Sequence, residues 1–560
     1  MTTEEKPFVD GLTLGQTLAR TAQSFGDHDA LVFPQLGTRC SYRAFDDNVD
    51  EAARALIGIG VQSGEHVGLW ASNWPQWVIL QFATAKMGAV LVNINPAYRA
   101  NELAYVLDQA DIAVLFLTDT FKGSSFFSIL AEICPELADS APGDLHAAAC
   151  PRLRHVISIK PNKAAGMLNW DDFRRLASKS AVSELHEREA TVKPGDVVNI
   201  QFTSGTTGFP KGAMLTHRNL LLNAFYTGQR LACTASDRIC IPVPFYHCFG
   251  CVIGTLLSVV HGAAMVVPAE SFDPLATLQA IQDERCTVIY GVPTMFIAQL
   301  TQPRFSEFNL SSLRTGIMAG SPCPIEVMRE VVQRMGARDV TIAYGLTEAS
   351  PVITQTAASD DLEHRVSTVG RPLPGLEVRV VQSVTTVPSL QGQPGELLVR
   401  GHCVMKGYYH KPAETAAAVT PDGWLHTGDL AMETSDGYFR ITGRIKDLII
   451  RGGENIYPRE IEEFLYGHPA IAEAQVVGLP DAKFGEEVSV WIRLKPGAAL
   501  TADAVRQFCR ERIAHYKVPR YVEFVSDYPT TVTGKIQKFK LRETGIERFG
   551  LHKAARIETA

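Results

Sequence analysis

Several features that would place a sequence quickly are scarce or missing here. Eleven cysteines among 560 residues are too few and too scattered for a disulfide framework. There is no excess of positive charge. Sixty acidic residues against 53 basic ones leave a net charge of -7, and nothing in that total points to a nucleic-acid binder. The amino-terminal stretch has acids where a signal or transit peptide would be basic, and no apolar segment follows it. No hydrophobic run is long enough to span a bilayer. The most apolar one, Cys251 to Val267, is interrupted by Gly254, Ser258, His261 and Gly262 and reads as a buried helix running into a buried strand. Repeats and low-complexity tracts are absent from the sequence. What remains, 46% apolar and 20% charged, is the composition of a globular protein long enough for two or three domains. A cytoplasmic location is the expectation.

Hydrophobic periodicity supplies the organisation. Helical spacing from Phe45 to Ile59, a short strand from His66 to Trp70, helix from Trp77 to Met87 and strand from Ala89 to Val92 begin an alternation that predicts a mostly parallel sheet covered on both faces. Residues 136–154, with two prolines and several small residues, read as a surface excursion. The alternation resumes at Val197 and runs to Tyr344. After Gly370, the stretches Val378 to Val381 and Gly395 to Arg400 predict short antiparallel strands in a small barrel or curled sheet. A separate compact α+β unit begins near Arg444. The predicted organisation is an α/β large domain, two parallel-sheet subdomains plus a small β-barrel, over residues 1–443. A hinge at 444–447 and a mobile α+β domain at 448–560 follow.

The strongest local signal is Thr203-Ser204-Gly205-Thr206-Thr207-Gly208-Phe209-Pro210-Lys211-Gly212. It follows a predicted strand and is expected to precede a helix. Such a run offers backbone N–H groups, hydroxyls and one ammonium to a polyanion, and its glycines allow close approach. It is not the usual nucleotide P-loop, because Gly212 rather than Ser or Thr follows Lys211. Further stretches follow in order: Tyr246-His247, Tyr344-Gly345-Leu346-Thr347-Glu348, Thr427-Gly428-Asp429, Gly443 to Asp447, Gly452 to Pro458, and Thr533-Gly534-Lys535. Together, from about Leu14 to Lys540, they resemble the adenylate-forming (AMP-binding) superfamily of acyl-CoA synthetases, luciferases and adenylation domains.

That resemblance implies ATP-dependent activation of a carboxylate to an acyl-adenylate, then transfer to coenzyme A. It assigns β- and γ-phosphate binding to Thr203, Ser204, Gly205, Thr206, Thr207, Gly208 and Lys211. Glu348 becomes the Mg²⁺ ligand, which suits a cation that needs few protein oxygens, and Thr347 a donor to the α-phosphate. Tyr344 and Gly345 line the adenine site. Asp429 accepts the ribose hydroxyls, a carboxylate supplying acceptors to a diol that supplies donors, and Arg444 reaches the same region. Tyr246, His247, Gly320 and Ser321 line the acyl pocket, with His247 able to donate to the substrate carboxylate. Lys535 is the adenylation lysine, and Lys446 the hinge about which the small domain turns. Gly452, Gly453 and Glu454 face coenzyme A. Cys248 and Cys251 have CxxC spacing, but no second pair lies nearby and the setting is apolar; buried thiols are the better reading.

Within the superfamily, residues 129–135, 244–251 and 452–458 look like the medium-chain acyl-CoA synthetases of the family-member-2 type, here in a bacterial cytoplasmic version. The expected substrate is a medium- to long-chain fatty acid, with a broad range because apolar walls discriminate by only about 1–3 kcal/mol per methylene. An aryl- or branched-acid ligase is the alternative, and a non-catalytic adenylate-binding module a more distant one. A kinase reading fails for want of HRD and DFG arrangements. The expected partners are fatty acid, ATP and coenzyme A, with no nucleic acid, no transmembrane segment, and a homodimer left open.

Overall fold

The computed structural model describes residues 7–203, 210–382, 387–452, 454–510, 512–531 and 535–556. Two large sheets form the body. One runs, in spatial order, through Arg371–Pro372, Val352–Gln355, Asp339–Gly345, Thr315–Ala319, Val288–Gly291, Arg238–Cys240, Ala264–Val266, Asp29–Phe33 and Thr38–Ser41. Its centre is parallel and its two ends are antiparallel. The other runs through Gly407–Tyr408, Lys211–Thr216, Val197–Thr203, Val90–Ile94, His66–Trp70, Ile112–Leu117, His155–Ser158 and Leu168–Asn169.

The helix Pro75–Met87 shows why the two sheets form one body. Proline at its first turn and left-handed Gly88 after its last bound it, and between them every residue but Gln76 is buried. A helix apolar on all sides must be covered on all sides. Phe82 meets Phe45 edge-on at 5.5 Å, and Trp77 lies 5.5 Å from Phe245. One continuous core then reaches from Val9 to Tyr408.

Four strands, Leu376–Val381, Gly395–Gly401, Leu425–Glu433 and Phe439–Arg444, follow as an antiparallel sheet in sequence order. Among the described residues its outer strands are not paired with each other, so the expected barrel is an open ladder. The carboxy-terminal part is an α+β unit. Its sheet contains Ile449–Arg451, Glu454–Ile456, Ile471–Asp481, Gly485–Leu494 and Tyr521–Phe524, packed by the helices Pro458–Tyr466, Ala502–Arg510 and Lys538–Arg548. Its apolar clusters, spanning Ile449 to Val522 and Val477 to Leu541, share no buried residue with those of the larger body. Between the two lies a single 3-10 turn, Ile445–Asp447, which holds Lys446.

Two local expectations need correction. The segment after the glycine-rich run is a strand, Lys211–Thr216, antiparallel to Val197–Thr203 with Thr203 opposite Lys211; the helix starts only at His217. Gly212, Ala213, Leu215 and Thr216 are buried while Lys211 and Met214 are partly exposed, so the strand shows no apolar alternation by which the sequence could be read. The described residues that flank the run, Thr203 and Lys211, are therefore strand residues, and the run does not lead directly into a helix. Residues 136–154 are also less peripheral than expected. Leu137, Leu145, Ala147, Cys150 and Leu153 are buried against Ile112–Leu117 and its neighbours and pin the segment, while Ala138, Ala141, Gly143, Ala148 and Ala149 are exposed as expected.

Candidate active site

Glu348 lies on the turn Thr347–Ala349, just beyond the strand Asp339–Gly345, at the strand end where open α/β sheets place ligands. The chain there requires Gly345, because a Cβ would sit 1.8 Å from the Pro351 carbonyl oxygen. Asp429 and Arg444 are direct cross-strand partners in the antiparallel pair of Leu425–Glu433 and Phe439–Arg444, and the Arg444 Nε lies 3.0 Å from Asp429 Oδ1. The Asp429 carboxylate holds the Arg444 guanidinium above its ordinary pKa. The Tyr344 hydroxyl donates to Asp429 Oδ2 at 2.8 Å. Burial, reinforced by that carboxylate, raises the phenol's pKa, so it remains a donor. Among the described residues each Asp429 oxygen thus has one side-chain partner, which leaves acceptor capacity for a further donor.

His247 occupies the turn after Pro244. Its Nδ1 accepts the Phe249 N–H at 3.2 Å, which puts the proton of the neutral ring on Nε2. Burial, and then Lys535, push its pKa down to about 3, so the ring stays neutral. A neutral imidazole with a fixed Nε2–H is a one-way donor, suited to a carboxylate oxygen. The Cys248 Sγ lies 3.8 Å from Thr347 Oγ1 and 3.7 Å from His247 Nδ1, its thiol raised to about 11 by burial. Cys251 instead accepts from Asn93 at 3.5 Å and Gln201 at 3.2 Å. The two cysteines therefore face different partners, as buried thiols.

Lys535 enters this cluster from the small unit. Its loop is closed by Thr531 N–H donating to the Lys535 carbonyl at 2.7 Å and by the Lys535 N–H donating to Thr531 Oγ1 at 3.1 Å. Burial lowers the ammonium's pKa, with Arg444 adding to it, while Cys248, Asp429 and Glu348 oppose the shift. Its Cε lies 3.9 Å from where a Cβ on Gly320 would stand, so the small unit is docked with its lysine in the site. Beside it is a cleft of about 320 Å³, walled by Pro244, Tyr246 and Met295 on one side and Tyr528, Thr531 and Ile536 on the other.

The structure therefore gathers Lys535, Glu348, Thr347, Tyr344, Asp429, Arg444, His247 and Gly320, with Ser321 beyond the strand Thr315–Ala319. Thr203 and Lys211 face each other at the hairpin base. Ser204, Gly205, Thr206, Thr207, Gly208 and Gly453 lie outside the described residues. Gly452 and Glu454 are in the small unit's own hairpin, where the Gly452 N–H donates to Phe484. One residue that no motif singled out also belongs here. The Tyr408 hydroxyl donates to Glu348 Oε1 at 2.7 Å, and Lys211 Nζ stands 4.5 Å from its ring centroid. A glycine before it, Gly407 at φ 140°, is the trace it leaves in the sequence.

A family model described as AMP-binding enzyme matches residues 18–409, and one described as AMP-binding enzyme C-terminal domain matches residues 460–535. The chain belongs to the AMP-binding enzymes. It is an ATP-dependent, acyl-adenylate-forming ligase. YngI of Bacillus subtilis (strain 168) is 52% identical over 96% of this chain and 98% of its own length. The human medium-chain acyl-CoA ligase ACSF2, mitochondrial, is 40% identical over 96% of this chain and 88% of its own. The expected nearness to the medium-chain type is therefore not distinctive. Among solved structures, the anthranilate CoA ligase AuaEII with anthranoyl-AMP superposes with a TM-score of 0.87 at 27% identity, covering 98% of this chain and 100% of that one. Among the described residues no helix is long and apolar enough to cross a membrane.

Proposed function

We propose that this AMP-binding enzyme is an acid–CoA ligase that joins an apolar carboxylic acid to coenzyme A with release of AMP and pyrophosphate. The observation that carries it is the convergence of Lys535, Glu348, Asp429, Arg444 and His247 on one site from positions far apart in the chain. In the first half-reaction a carboxylate oxygen bonds to the α-phosphorus as the bond to pyrophosphate breaks. The Nε2–H of His247 orients that carboxylate, the Lys535 ammonium faces the charge growing at the α-phosphate, and Asp429 receives the ribose hydroxyls. In the second half-reaction the coenzyme A thiolate bonds to the acyl carbon and AMP leaves. The turn Ile445–Asp447, with Lys446 at its middle, is the joint about which the small unit withdraws Lys535 between them.

The residues fit Mg²⁺. Among the described residues no cluster of three or more His, Cys, Asp or Glu could hold a metal, and Mg²⁺ in nucleotide sites is held by one or two carboxylates, phosphates and water. Glu348, whose Oε1 accepts from Tyr408 and whose Oε2 has no hydrogen-bond partner among the described residues, is that carboxylate. When bound, the ion neutralises phosphate charge.

For the acid itself, an aryl or branched acid is the better-supported reading. Solved structures that the chain resembles include an anthranilate CoA ligase and an amide bond synthetase, neither named for a fatty acid, beside a fatty acyl CoA synthetase of Mycobacterium tuberculosis. A medium- to long-chain fatty acid is the second reading, supported by the relatives named medium-chain acyl-CoA ligase. Incubation with ATP, Mg²⁺, coenzyme A and a panel of benzoates, branched acids and straight-chain acids from butyrate to palmitate tests both. AMP and pyrophosphate should appear, fastest with one class. ADP as product, or no turnover with any acid, refutes the proposal.

A further inference from the structure

Tyr408 touches two side chains from different parts of the site at once. Its hydroxyl donates to Glu348 Oε1 at 2.7 Å, and its ring face receives the Lys211 ammonium at 4.5 Å. The placement is fixed by backbone. Gly407–Tyr408 is a two-residue strand on the edge of Lys211–Thr216, with Tyr408 opposite Ala213. The Tyr408 N–H donates to Thr415 Oγ1 at 2.8 Å. The Tyr409 N–H donates to the Gly212 carbonyl at 2.8 Å, and the Met405 N–H to the Glu348 carbonyl at 2.8 Å. Residues 405–409 are thus stitched on one side to the carboxylate's turn and on the other to the strand that leaves the glycine-rich run.

We propose that Tyr408 is a positioning residue that couples the metal-binding carboxylate, Glu348, to the phosphate-binding ammonium, Lys211. Its hydroxyl holds one carboxylate oxygen and so aims the other, Oε2, at the metal. Its ring seats Lys211 through a cation–π contact. A carboxylate in that place would compete with the phosphates for the ammonium, whereas a neutral ring stabilises its position and yields when an anion arrives. The inference rests on the proposed assignment of Glu348 to Mg²⁺ and of Lys211 to phosphate.

The two contacts separate by substitution. Tyr408→Phe keeps the ring and removes the hydroxyl, while Tyr408→Leu removes both. Mn²⁺, used as the probe for Mg²⁺, is titrated into full-length enzyme with ATP and free Mn²⁺ is read by electron paramagnetic resonance. ATP binding without metal is measured separately by calorimetry. Tyr408→Phe should weaken Mn²⁺ binding about tenfold, the scale of losing one hydrogen bond to a charged group, and leave metal-free ATP binding unchanged. Tyr408→Leu should weaken both. In a Glu348→Gln background, Tyr408→Phe should have no further effect on Mn²⁺. If the parent enzyme shows no ATP-dependent Mn²⁺ binding, the Glu348 assignment fails and this inference with it. If the parent binds and Tyr408→Phe matches it, or if Tyr408→Phe remains additive with Glu348→Gln, the coupling role alone is overturned. Should Tyr408→Leu not fold, the Phe comparison decides.

Discussion

Replacing Asp429 by asparagine removes one negative charge and little else. The side chain is only 8% exposed, and it is shared by Tyr344 at 2.8 Å and Arg444 at 3.0 Å. Asparagine retains an acceptor for the Tyr344 hydroxyl, so the buried donor keeps its partner. Alanine would strand that hydroxyl at a cost of about 1–3 kcal/mol, mixing stability with binding. The Arg444 side chain is 51% exposed, and its ion pair is screened to about 0–1 kcal/mol, so Asp429→Asn should shift the unfolding midpoint little. ATP binding is another matter. Each ribose hydroxyl donating to a carboxylate contributes about 1.5–3 kcal/mol, or roughly ten- to a hundredfold in affinity. Calorimetry with ATP and with 2′-deoxy-ATP separates the terms. The parent should prefer ATP by about that factor, and Asp429→Asn should bind ATP more weakly and discriminate hardly at all. Unchanged ATP affinity, or full discrimination persisting in the variant, would refute the ribose assignment.

Lys535→Ala should slow acyl-adenylate formation by about two to three orders of magnitude, yet convert supplied acyl-adenylate and coenzyme A to thioester near the parental rate; equal losses in both single-turnover assays exclude a lysine that serves one step. Lys446→Pro should show the reverse split, because proline fixes φ and stiffens the turn Ile445–Asp447. His217 is buried, accepts the Leu14 N–H at 3.1 Å, and has its pKa pushed down to about 4 by burial. As pH falls from about 6.5 towards that value the unfolded chain takes up a proton that the folded chain excludes, a loss approaching about 3 kcal/mol. Chemical denaturation should therefore find His217→Gln less acid-sensitive than the parent over that window, and identical slopes would contradict it. Gly345→Ala places a methyl against the Pro351 carbonyl and should cost at least about 1–3 kcal/mol, visible in the thermal midpoint together with weaker ATP binding.

Periodicity was sufficient for elements whose burial is uniform along their length. The helix at Pro75–Met87 and the strand at His66–Trp70, buried at every residue but Gln76, stand out in the sequence. It failed for Lys211–Thr216, six residues with no alternating burial between a glycine-rich run and a long helix. The motif residues Lys535, Glu348 and Asp429 were legible because their neighbours carry the resemblance. Tyr408 was not, since its role depends on an edge strand pairing with residues nearly two hundred positions earlier, and no local pattern encodes that register. Likewise, the tautomer of His247 follows from one backbone N–H, a contact made only once the turn is folded.

Because the two units keep separate cores and are joined covalently by one short turn, the lysine is, in the proposed cycle, a passenger rather than a resident of the site. Its loop is closed by Thr531 and flanked by anchors to the small unit, the Tyr528 hydroxyl donating to the Glu473 and Trp491 carbonyls and Lys538 to Glu462, so in the proposed cycle it travels with the whole small unit. Severing the chain at 445–447 would therefore convert the first half-reaction from an intramolecular event into an encounter between two fragments. Tethering of this kind supplies an effective concentration on the order of millimolar, and the cut enzyme would have to make up that difference in bulk. Its adenylation rate would rise with added small fragment, whereas its nucleotide affinity, held largely by the larger fragment through Asp429 and Tyr344, would hardly notice the cut.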